Sequence, residues 1–297
     1  MIKHYLKVAF RNLIKYKTQS LVSIIGLAVG FTCFALSVLW IRYEMTYDNF
    51  HEGADRIYLV RAHYANEPGT SKFTPYPLMK YLQDKMPEIE AVTAFTAHYV
   101  KFRMEDTEQE IGMIAADSVF MNFFDIQLLK GTVNFLKCDG QEVAITKEFA
   151  KRLFSKEEDA LGKEVEVGRR VCKIGAIVSG WSNHSNIPYN ILAPARHSPR
   201  WGSSNEQLFI RVRERTDIDA FRTKMSTVCI NDIEKESELS DLLITRMSAL
   251  RYSNYVDKAD VVISFSYIFY FSLAGGAGCF FLLSQLSDAF YQPALYA

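Results

Sequence analysis

TQSLVSIIGLAVGFTCFALSVLWI, residues 18–41, contains no charged residue and decides how the rest of the chain is arranged. At about 1.5 Å of rise per residue, roughly twenty helical residues cross a hydrocarbon core that is about 30 Å thick. The hydroxyl groups within the stretch can bond back to carbonyls of their own helix. The stretch therefore predicts a membrane-spanning helix, with Trp40 and Tyr43 at its outer interface.

A cleaved signal peptide is the competing interpretation of this stretch, because Ala35, Leu36 and Ser37 offer small residues at a suitable spacing. The apolar run is longer than that of a signal peptide and its leading segment is more extended, which favours a retained anchor. Within the run, Gly26 and Gly30 form a G-x-x-x-G pattern, which predicts close packing against another helix. Glycine is also simply frequent in membrane helices, and that alternative stays open.

The residues ahead of the apolar run are strongly basic. The first 17 residues hold five cations and no acid, namely Lys3, Lys7, Arg11, Lys15 and Lys17. Four of these cations recur every fourth residue beside an apolar strip, which predicts a basic amphipathic helix on the inner membrane surface over residues 1–17. An ordinary positive flank is the simpler alternative, and both interpretations place the N-terminus in the cytoplasm.

A second uncharged run, VVISFSYIFYFSLAGGAGCFFLLSQLS, covers residues 261–287 and predicts a second membrane helix. This helix would return the chain to the cytoplasm, with residues 288–297 as a short tail. The tail departs from the usual pattern, because no Lys or Arg follows the run.

The segment between the two runs, residues 42–260, is predicted to be an extracytoplasmic α+β domain. The 297-residue chain has 34 basic and 34 acidic side chains, and since the leader is basic, this segment is mildly acidic. It lacks the dense basic face that nucleic acid requires. Its order of strands and helices predicts an α+β unit with a strand-rich insertion at about 136–204. Two of its strands are expected to be joined by a charged turn, residues 106–109.

The sequence contains none of the motifs for phosphate-binding loops, nucleophilic serine or zinc proteases. His51 and Asp55 are spaced as two residues on one helix face. Because two residues cannot complete a zinc shell, a capping or ion-pair role is the better interpretation. Glu88 and Glu90 lie at a predicted helix end and are expected to point to water. No catalytic residue, cofactor or metal site is therefore predicted.

SNHSNIPYN, residues 182–190, has a histidine, two serines and three asparagines in nine positions and stands between two apolar strands. Asn, Ser and Pro favour turns, and His184 and Ser185 are adjacent, which is a poor arrangement for a catalytic triad. A structural turn is predicted. The five cysteines show no metal or disulfide spacing, although one bridge among Cys138, Cys172 and Cys229 stays open.

Several dispersed stretches together resemble one family. They are LKVAFRNLIKYKTQSLVSIIGLAVGFTCFAL, YDNFHEGADRIYLV, DSVFMNFFDIQLLKGT, VAITKEFAKRLFSKEEDALGKEV and IVSGWSNHSNIPYNILAP. In order and spacing they are similar to the N-terminal half-module of MacB/FtsX-type ABC transporter permeases, especially those common in Bacteroidetes. The similarity covers residues 1 to about 273.

The resemblance implies a periplasmic domain with a ferredoxin-like lobe and an inserted strand-rich lobe, held between two transmembrane α-helices in the bacterial inner membrane. It implies an export or extrusion system of the mechanotransmission type, in which a separate cytoplasmic ATPase drives periplasmic movements through the first two membrane helices. Lys3, Lys7, Arg11, Lys15 and Lys17 would face the ATPase and membrane lipid. A second permease copy and a periplasmic adaptor are further implied partners.

Permeases of this family have four membrane helices per module, and the similarity fades within the second apolar run. We therefore expect a truncated permease. Two other interpretations remain open from the sequence, namely a membrane-anchored periplasmic sensor or ligand-binding ectodomain, and an anchored periplasmic hydrolase. The short tail argues against the sensor, and the lack of a nucleophile motif argues against the hydrolase.

Overall fold

The computed structural model describes residues 2–65, 68–105, 107–137, 141–181, 184–232 and 238–252. They form two compact units, an N-terminal helical unit that ends at Met45 and a folded body that begins at Thr46. The predicted second membrane helix, residues 261–287, and the tail after it lie outside the described residues.

The N-terminal unit consists of helix α1, Ile2–Lys15, and helix α2, Lys17–Met45. Among the described residues, α2 is the one helix long and apolar enough to cross a membrane, with a mean hydropathy of 2.3 over its most apolar window. Its large apolar side chains are exposed, as a helix surrounded by lipid requires. Two of its hydroxyls bond back within the helix, from Thr32 to the Ala28 carbonyl and from Ser37 to the Cys33 carbonyl, as predicted.

The body contains eleven described strands and four helices. The strands are β1 Ile57–Tyr64, β2 Thr74–Pro75, β3 Ile89–Met104, β4 Thr107–Ala116, β5 Leu128–Gly131, β6 Glu142–Thr146, β7 Glu164–Val167, β8 Arg170–Val178, β9 Ile191–Pro194, β10 Ser204–Val212 and β11 Leu239–Arg246. The helices are α3 Pro77–Lys85, α4 Ser118–Phe123, α5 Lys147–Leu153 and α6 Ile218–Asp232.

One half of the sheet has the strand order β11-β1-β10-β3, with every neighbouring pair antiparallel. Strands β1 and β10 are buried on both faces, and one of these faces contributes Tyr58, Val60, Leu208 and Ile210 to a core shared with helices. Leu78 and Leu82 of α3, together with Phe221 and Met225 of α6, pack against this face in a common apolar core. The four strands and two helices therefore form two β-α-β segments, β1-α3-β3 and β10-α6-β11, whose strands share one antiparallel layer.

Strand β3 continues the sheet without a break into its other half. Its first part pairs with β10 from Ile89 to Phe95, and its second part pairs with β4 from Thr96 to Met104. Beyond β4 the order is β9-β6-β8-β5, and β7 bridges β3 and β8. Because the pairing is continuous, it fixes no boundary for the insertion at about 136–204, and that boundary stays a prediction.

A cluster of aromatic side chains forms the core beneath the middle of β3. The Phe95 ring lies 4.8 Å from the Phe120 ring and 5.5 Å from the Phe209 ring, measured between centroids. Phe124 joins the cluster from the end of α4 and contacts Trp181, at 5.2 Å. Offset and edge-to-face aromatic pairs of this kind add to the free energy that burial itself provides.

The turn predicted at residues 106–109 is shorter in the structure. Strand β4 already begins at Thr107, and Glu108 pairs with Arg103 across the hairpin, with 2.7 Å between the Glu108 carboxylate and the Arg103 guanidinium. Opposite charges that face each other across two antiparallel strands stabilise an exposed hairpin. Glu108, one of the charged residues that indicated a turn, is therefore a strand residue facing water.

We expect Phe95→Ala to lower the free energy of unfolding by about 3 to 5 kcal/mol, because Phe95 is fully buried and its removal leaves a cavity among three phenylalanines. Urea unfolding of the full chain in detergent, followed by tryptophan fluorescence, measures the change. Tyr99→Ala is the matched control, since Tyr99 lies on the same strand with 65% of its surface exposed. Equal losses in the two variants would contradict this description of the core.

Candidate functional site

The segment that follows α2 in the chain contacts the loop between β8 and β9. Thr46, Tyr47 and Asp48 lie on one side of this contact, and the loop residues of the predicted turn lie on the other. We call the contact the junction clasp, formed by Thr46, Tyr47, Asp48, His184, Ser185 and Asn186. It joins the first residues of the body to a loop more than one hundred residues further along the chain.

Asp48 is the centre of the junction clasp. Its side chain is fully buried, and its carboxylate accepts hydrogen bonds from the Ser185 hydroxyl, from the Asn186 side-chain amide at 2.6 Å and from the Asn186 backbone N–H at 3.2 Å. Its own backbone N–H donates to the His184 carbonyl at 3.2 Å. A single buried carboxylate thus accepts from several donors of one loop. Both the carboxylate and these donors gain the hydrogen-bond partners that buried polar groups require.

The backbone of Asp48 has a φ of 57°, in the left-handed region. Asp and Asn adopt this conformation more readily than most residues. The chain therefore turns at Asp48 directly after it leaves the helix, and the turn directs the carboxylate to the loop. Both the backbone conformation and the side-chain chemistry favour Asp or Asn at this position.

Burial raises the pKa of Asp48 above its ordinary value, because a carboxylate loses hydration inside the protein. The hydrogen bonds from Ser185 and Asn186, and the nearby His184, act in the opposite direction. The donors of the loop thus offset part of the cost of burying the carboxylate. Without these donors, burial of the Asp48 carboxylate would cost a large amount of folding free energy.

Aromatic contacts complete the junction clasp. The Tyr47 ring lies 3.9 Å from the His184 ring between centroids, and the Thr46 hydroxyl lies 3.1 Å from Nε2 of His184. Further along both segments, His51 contacts Trp181 edge to face at 4.9 Å. The contact between the two segments is therefore both polar and apolar.

His51 and Asp55 do not share a helix face, because His51 lies before the short helix Ala54–Arg56 that contains Asp55. Among the residues that the structure describes, no cluster of three or more potential metal ligands occurs. The His51 carbonyl instead accepts from the Ala54 backbone N–H, and the His51 ring packs among aromatic side chains. Burial, together with the charge of Arg211, lowers the pKa of His51 to about 4.

Glu90 is exposed, as the sequence predicted, whereas Glu88 is only partly exposed, and both form ion pairs. Glu88 accepts from Lys224 at 2.7 Å, which lowers the pKa of Glu88, and Glu90 pairs with Arg56 at 2.5 Å. Both ion pairs link the end of α3 to other elements. Adjacent charges at a helix end looked solvent-directed because their cationic partners are distant in the sequence.

The other residues singled out in the sequence lie as follows. Lys3, Lys7, Arg11 and Lys15 are in α1, Lys17 begins α2, and Gly26 and Gly30 are inside α2. Lys7, Arg11, Lys15 and Lys17 are exposed. Their coupling role and the packing role of the glycines stay predictions. Cys172 is buried in the core, whereas Cys138 lies outside the described residues, so the disulfide question stays open.

Asp48 is the functional residue that sequence reasoning missed. It stands in YDNFHEGADRIYLV and its partners stand in SNHSNIPYN, two stretches that carried the family resemblance independently. The predicted turn at residues 182–190 agrees with the described part of this loop, whose Ser185 hydroxyl also accepts from the Ile187 backbone N–H. One signal in the sequence could have linked the two stretches. The loop is rich in hydrogen-bond donors, and a single acid, Asp48, follows the apolar helix.

The body, with its junction clasp, begins directly after α2, a helix long and apolar enough to cross a membrane. The sequence profile of the MacB-like periplasmic core domain matches residues 20–228, and the chain belongs to this family. It is a MacB/FtsX-type ABC transporter permease domain. Such domains are non-catalytic parts of transporters.

Three solved structures are similar to this chain, and the first of them agrees with its mixed α/β fold. A domain of a Porphyromonas gingivalis protein named as a permease superposes with a TM-score of 0.54 at 20% identity, covering 70% of this chain and 95% of that one. The extracellular domain of the ABC-type transporter YknZ from Gram-positive bacteria gives a TM-score of 0.47 at 14% identity, covering 64% and 99%. The periplasmic region of MacB from Actinobacillus actinomycetemcomitans gives 0.48 at 12%, covering 67% and 92%. None of the curated proteins matches significantly.

We expect Asp48→Ala to lower the free energy of unfolding by about 3 to 4 kcal/mol, because it leaves buried donors of Ser185 and Asn186 unpaired and places alanine at a positive φ. Asp48→Asn keeps the backbone preference and one acceptor, and should lose only about 1 to 2 kcal/mol. Chemical unfolding of the full chain measures both values. Asp125→Ala is the matched control, since Asp125 also has a positive φ, 53°, but is exposed. If Asp125→Ala lowers the free energy of unfolding as much as Asp48→Ala does, the backbone conformation alone explains the effect.

The pKa of His51 gives the stability of the body a defined pH dependence. In the unfolded chain His51 takes up a proton near pH 6.5, whereas the folded body resists protonation until about pH 4. Its contribution to stability is therefore complete above pH 6.5 and declines as the pH falls toward 4. We expect His51→Gln to flatten this part of the stability curve, measured by thermal unfolding across the range. The exposed His98→Gln variant should keep the wild-type slope, and an unchanged slope in His51→Gln would contradict the assignment.

Proposed function

We propose that the chain is the membrane subunit of an ABC transporter of the mechanotransmission type. A separate cytoplasmic ATPase would drive movement of α2, and the body would convert that movement into work on a substrate or partner during export or extrusion. The junction clasp is the single observation that carries this proposal. It fastens the residues directly after α2 to a loop deep in the body through a buried, hydrogen-bonded carboxylate.

The clasp has the properties that a mechanical connection needs. A flexible linker would absorb movement of the helix, whereas Asp48 is fully buried and its bonds reach the loop that leads into β9. Strand β9 pairs with β4 and β6, so this loop continues directly into a strand held by the sheet. Displacement of Thr46 would therefore be resisted by the sheet and passed on to it.

The body itself supports a two-lobe interpretation. The β11-β1-β10-β3 order with α3 and α6 is the arrangement of a ferredoxin-like β-α-β-β-α-β unit. The strands from β4 to β9 are inserted between its second and third strands, and β3 extends into both. We propose that the first unit, with the clasp loop beside it, is the lobe nearer the membrane, and that the rest of the strand-rich insertion at about 136–204 forms the outer lobe.

The N-terminal helix is the proposed site for the ATPase and the inner membrane surface. Helix α1 is amphipathic and carries Lys7, Arg11 and Lys15 as exposed cations at a helical spacing. A multi-pass topology with a second membrane helix at residues 261–287, a second permease copy and a periplasmic adaptor complete the proposed assembly. Gly26 and Gly30 would allow close packing between its helices.

We expect removal of residues 2–17 to abolish copurification of an ATPase subunit from detergent extracts, because this removes the basic helix. The body should remain folded, with an unchanged thermal transition. A chain with Lys147, Lys151 and Lys156 replaced by Glu is the control, since these three substitutions lower the net charge by six, close to the five positive charges lost in the deletion, but lie in the body. Continued copurification after the deletion would contradict the coupling role.

A further inference from the structure

A pocket of about 410 Å³ lies beside the junction clasp, among aromatic side chains and one arginine. Its volume falls within the range of sites for small molecules, at the small end. Residues 50–52 and 179–181 line the pocket, and residues 123–126 together with Arg211 of β10 complete the lining. The first two of these segments lie close in sequence to the two segments of the junction clasp.

The apolar part of the pocket is a preformed aromatic surface. The Phe124 ring lies 5.2 Å from Trp181 and 5.1 Å from His51, and His51 meets Trp181 edge to face at 4.9 Å. The Phe50 ring lies tilted against the His51 ring, with 4.2 Å between centroids. Such a surface favours a flat or aromatic group, and at neutral pH His51 is uncharged because its pKa is about 4.

The polar part of the pocket centres on Arg211. One of its terminal nitrogens donates to the Phe123 carbonyl at 2.6 Å, and the guanidinium lies 5.0 Å above the Phe123 ring. Its Nε and the Nε2 of His51 are buried and have no hydrogen-bond partner among the described residues. Buried donors are rarely left unpaired in folded proteins, since each costs about 1 to 3 kcal/mol. The Arg211 guanidinium would donate its strongest hydrogen bond to an anionic oxygen of a ligand.

Two carboxylates also line the pocket, from Glu52 and Asp125, and both residues are exposed. A simple anion would be attracted by Arg211 but repelled by these two groups. A ligand that carries both an ammonium group and a carboxylate matches both kinds of charge. The aromatic surface between them adds a place for an apolar side chain.

We propose that this pocket binds a short zwitterionic peptide of about two residues with an aromatic C-terminal side chain. The terminal carboxylate pairs with Arg211, the aromatic ring packs against Phe124 and Trp181, and the ammonium group faces Glu52 and Asp125. This goes beyond the proposed coupling role, because the pocket binds its ligand whether or not an ATPase moves α2. A bound peptide would contact residues that lie close in sequence to both segments of the junction clasp.

L-alanyl-L-phenylalanine is a suitable probe, with the full chain in lipid nanodiscs. Trp40→Phe and Trp201→Phe leave Trp181 as the fluorophore, which reports binding directly because it lines the pocket. We expect a saturable change in Trp181 emission with the dipeptide. The C-terminal amide and the N-acetylated dipeptide should each bind about tenfold more weakly, since each loses one charged contact.

Arg211→Met should weaken binding of the dipeptide to the level of the amide probe and remove the difference between the two probes. Arg213→Met is the matched control, because Arg213 also donates to a backbone carbonyl, that of Pro87 at 2.9 Å, outside the pocket. Arg211→Lys retains the charge and should show an intermediate affinity, which separates loss of binding from loss of folding. The absence of saturable binding, or equal affinity for the acid and the amide in the unsubstituted background, would overturn the proposal.

Discussion

The structure of the body depends on one constraint, the burial of a carboxylate directly after an apolar helix. Asp48 is fully enclosed, so its oxygens must find donors within the protein. Ser185 and Asn186 supply them from a loop that is 137 and 138 residues away in the sequence. Neither segment is satisfied without the other, because an unpaired acceptor and unpaired donors would both remain buried. The start of the body and the loop before β9 therefore form one structural element.

The parts of the fold that follow from local patterns could be predicted from the sequence. Helix α2 follows from an uninterrupted run without charge, and β1 follows from alternation in IYLVRAHY. Strand pairing could not be predicted in the same way, because β3 divides its partners between β10 and β4. Glu108 illustrates the remaining error. Its charge indicated a turn, whereas its carboxylate pairs with Arg103 across a hairpin, and only the register shows this.

The candidate site was predictable in its loop and not in its centre. Asn, Ser and Pro have strong local turn preferences, so the structural turn in SNHSNIPYN could be read from composition. An acid such as Asp48 has no comparable signature, since its role depends on burial and on partners that the fold supplies. Arg211 is a similar case, because β10 reads as an ordinary strand and the pocket arises only when its neighbours are assembled. Family membership identifies the domain, while these contacts suggest how it works.

A double-mutant cycle between Asp48 and Asn186 tests the central claim most directly. Unfolding free energies of the two single alanine variants, the double variant and the unsubstituted chain give the coupling energy between the two side chains. The buried contact at 2.6 Å should give a coupling of about 1 to 3 kcal/mol, as expected for residues in one hydrogen-bond network. Additive effects, within about 0.5 kcal/mol, would show that the helix exit and the loop are not fastened through this carboxylate.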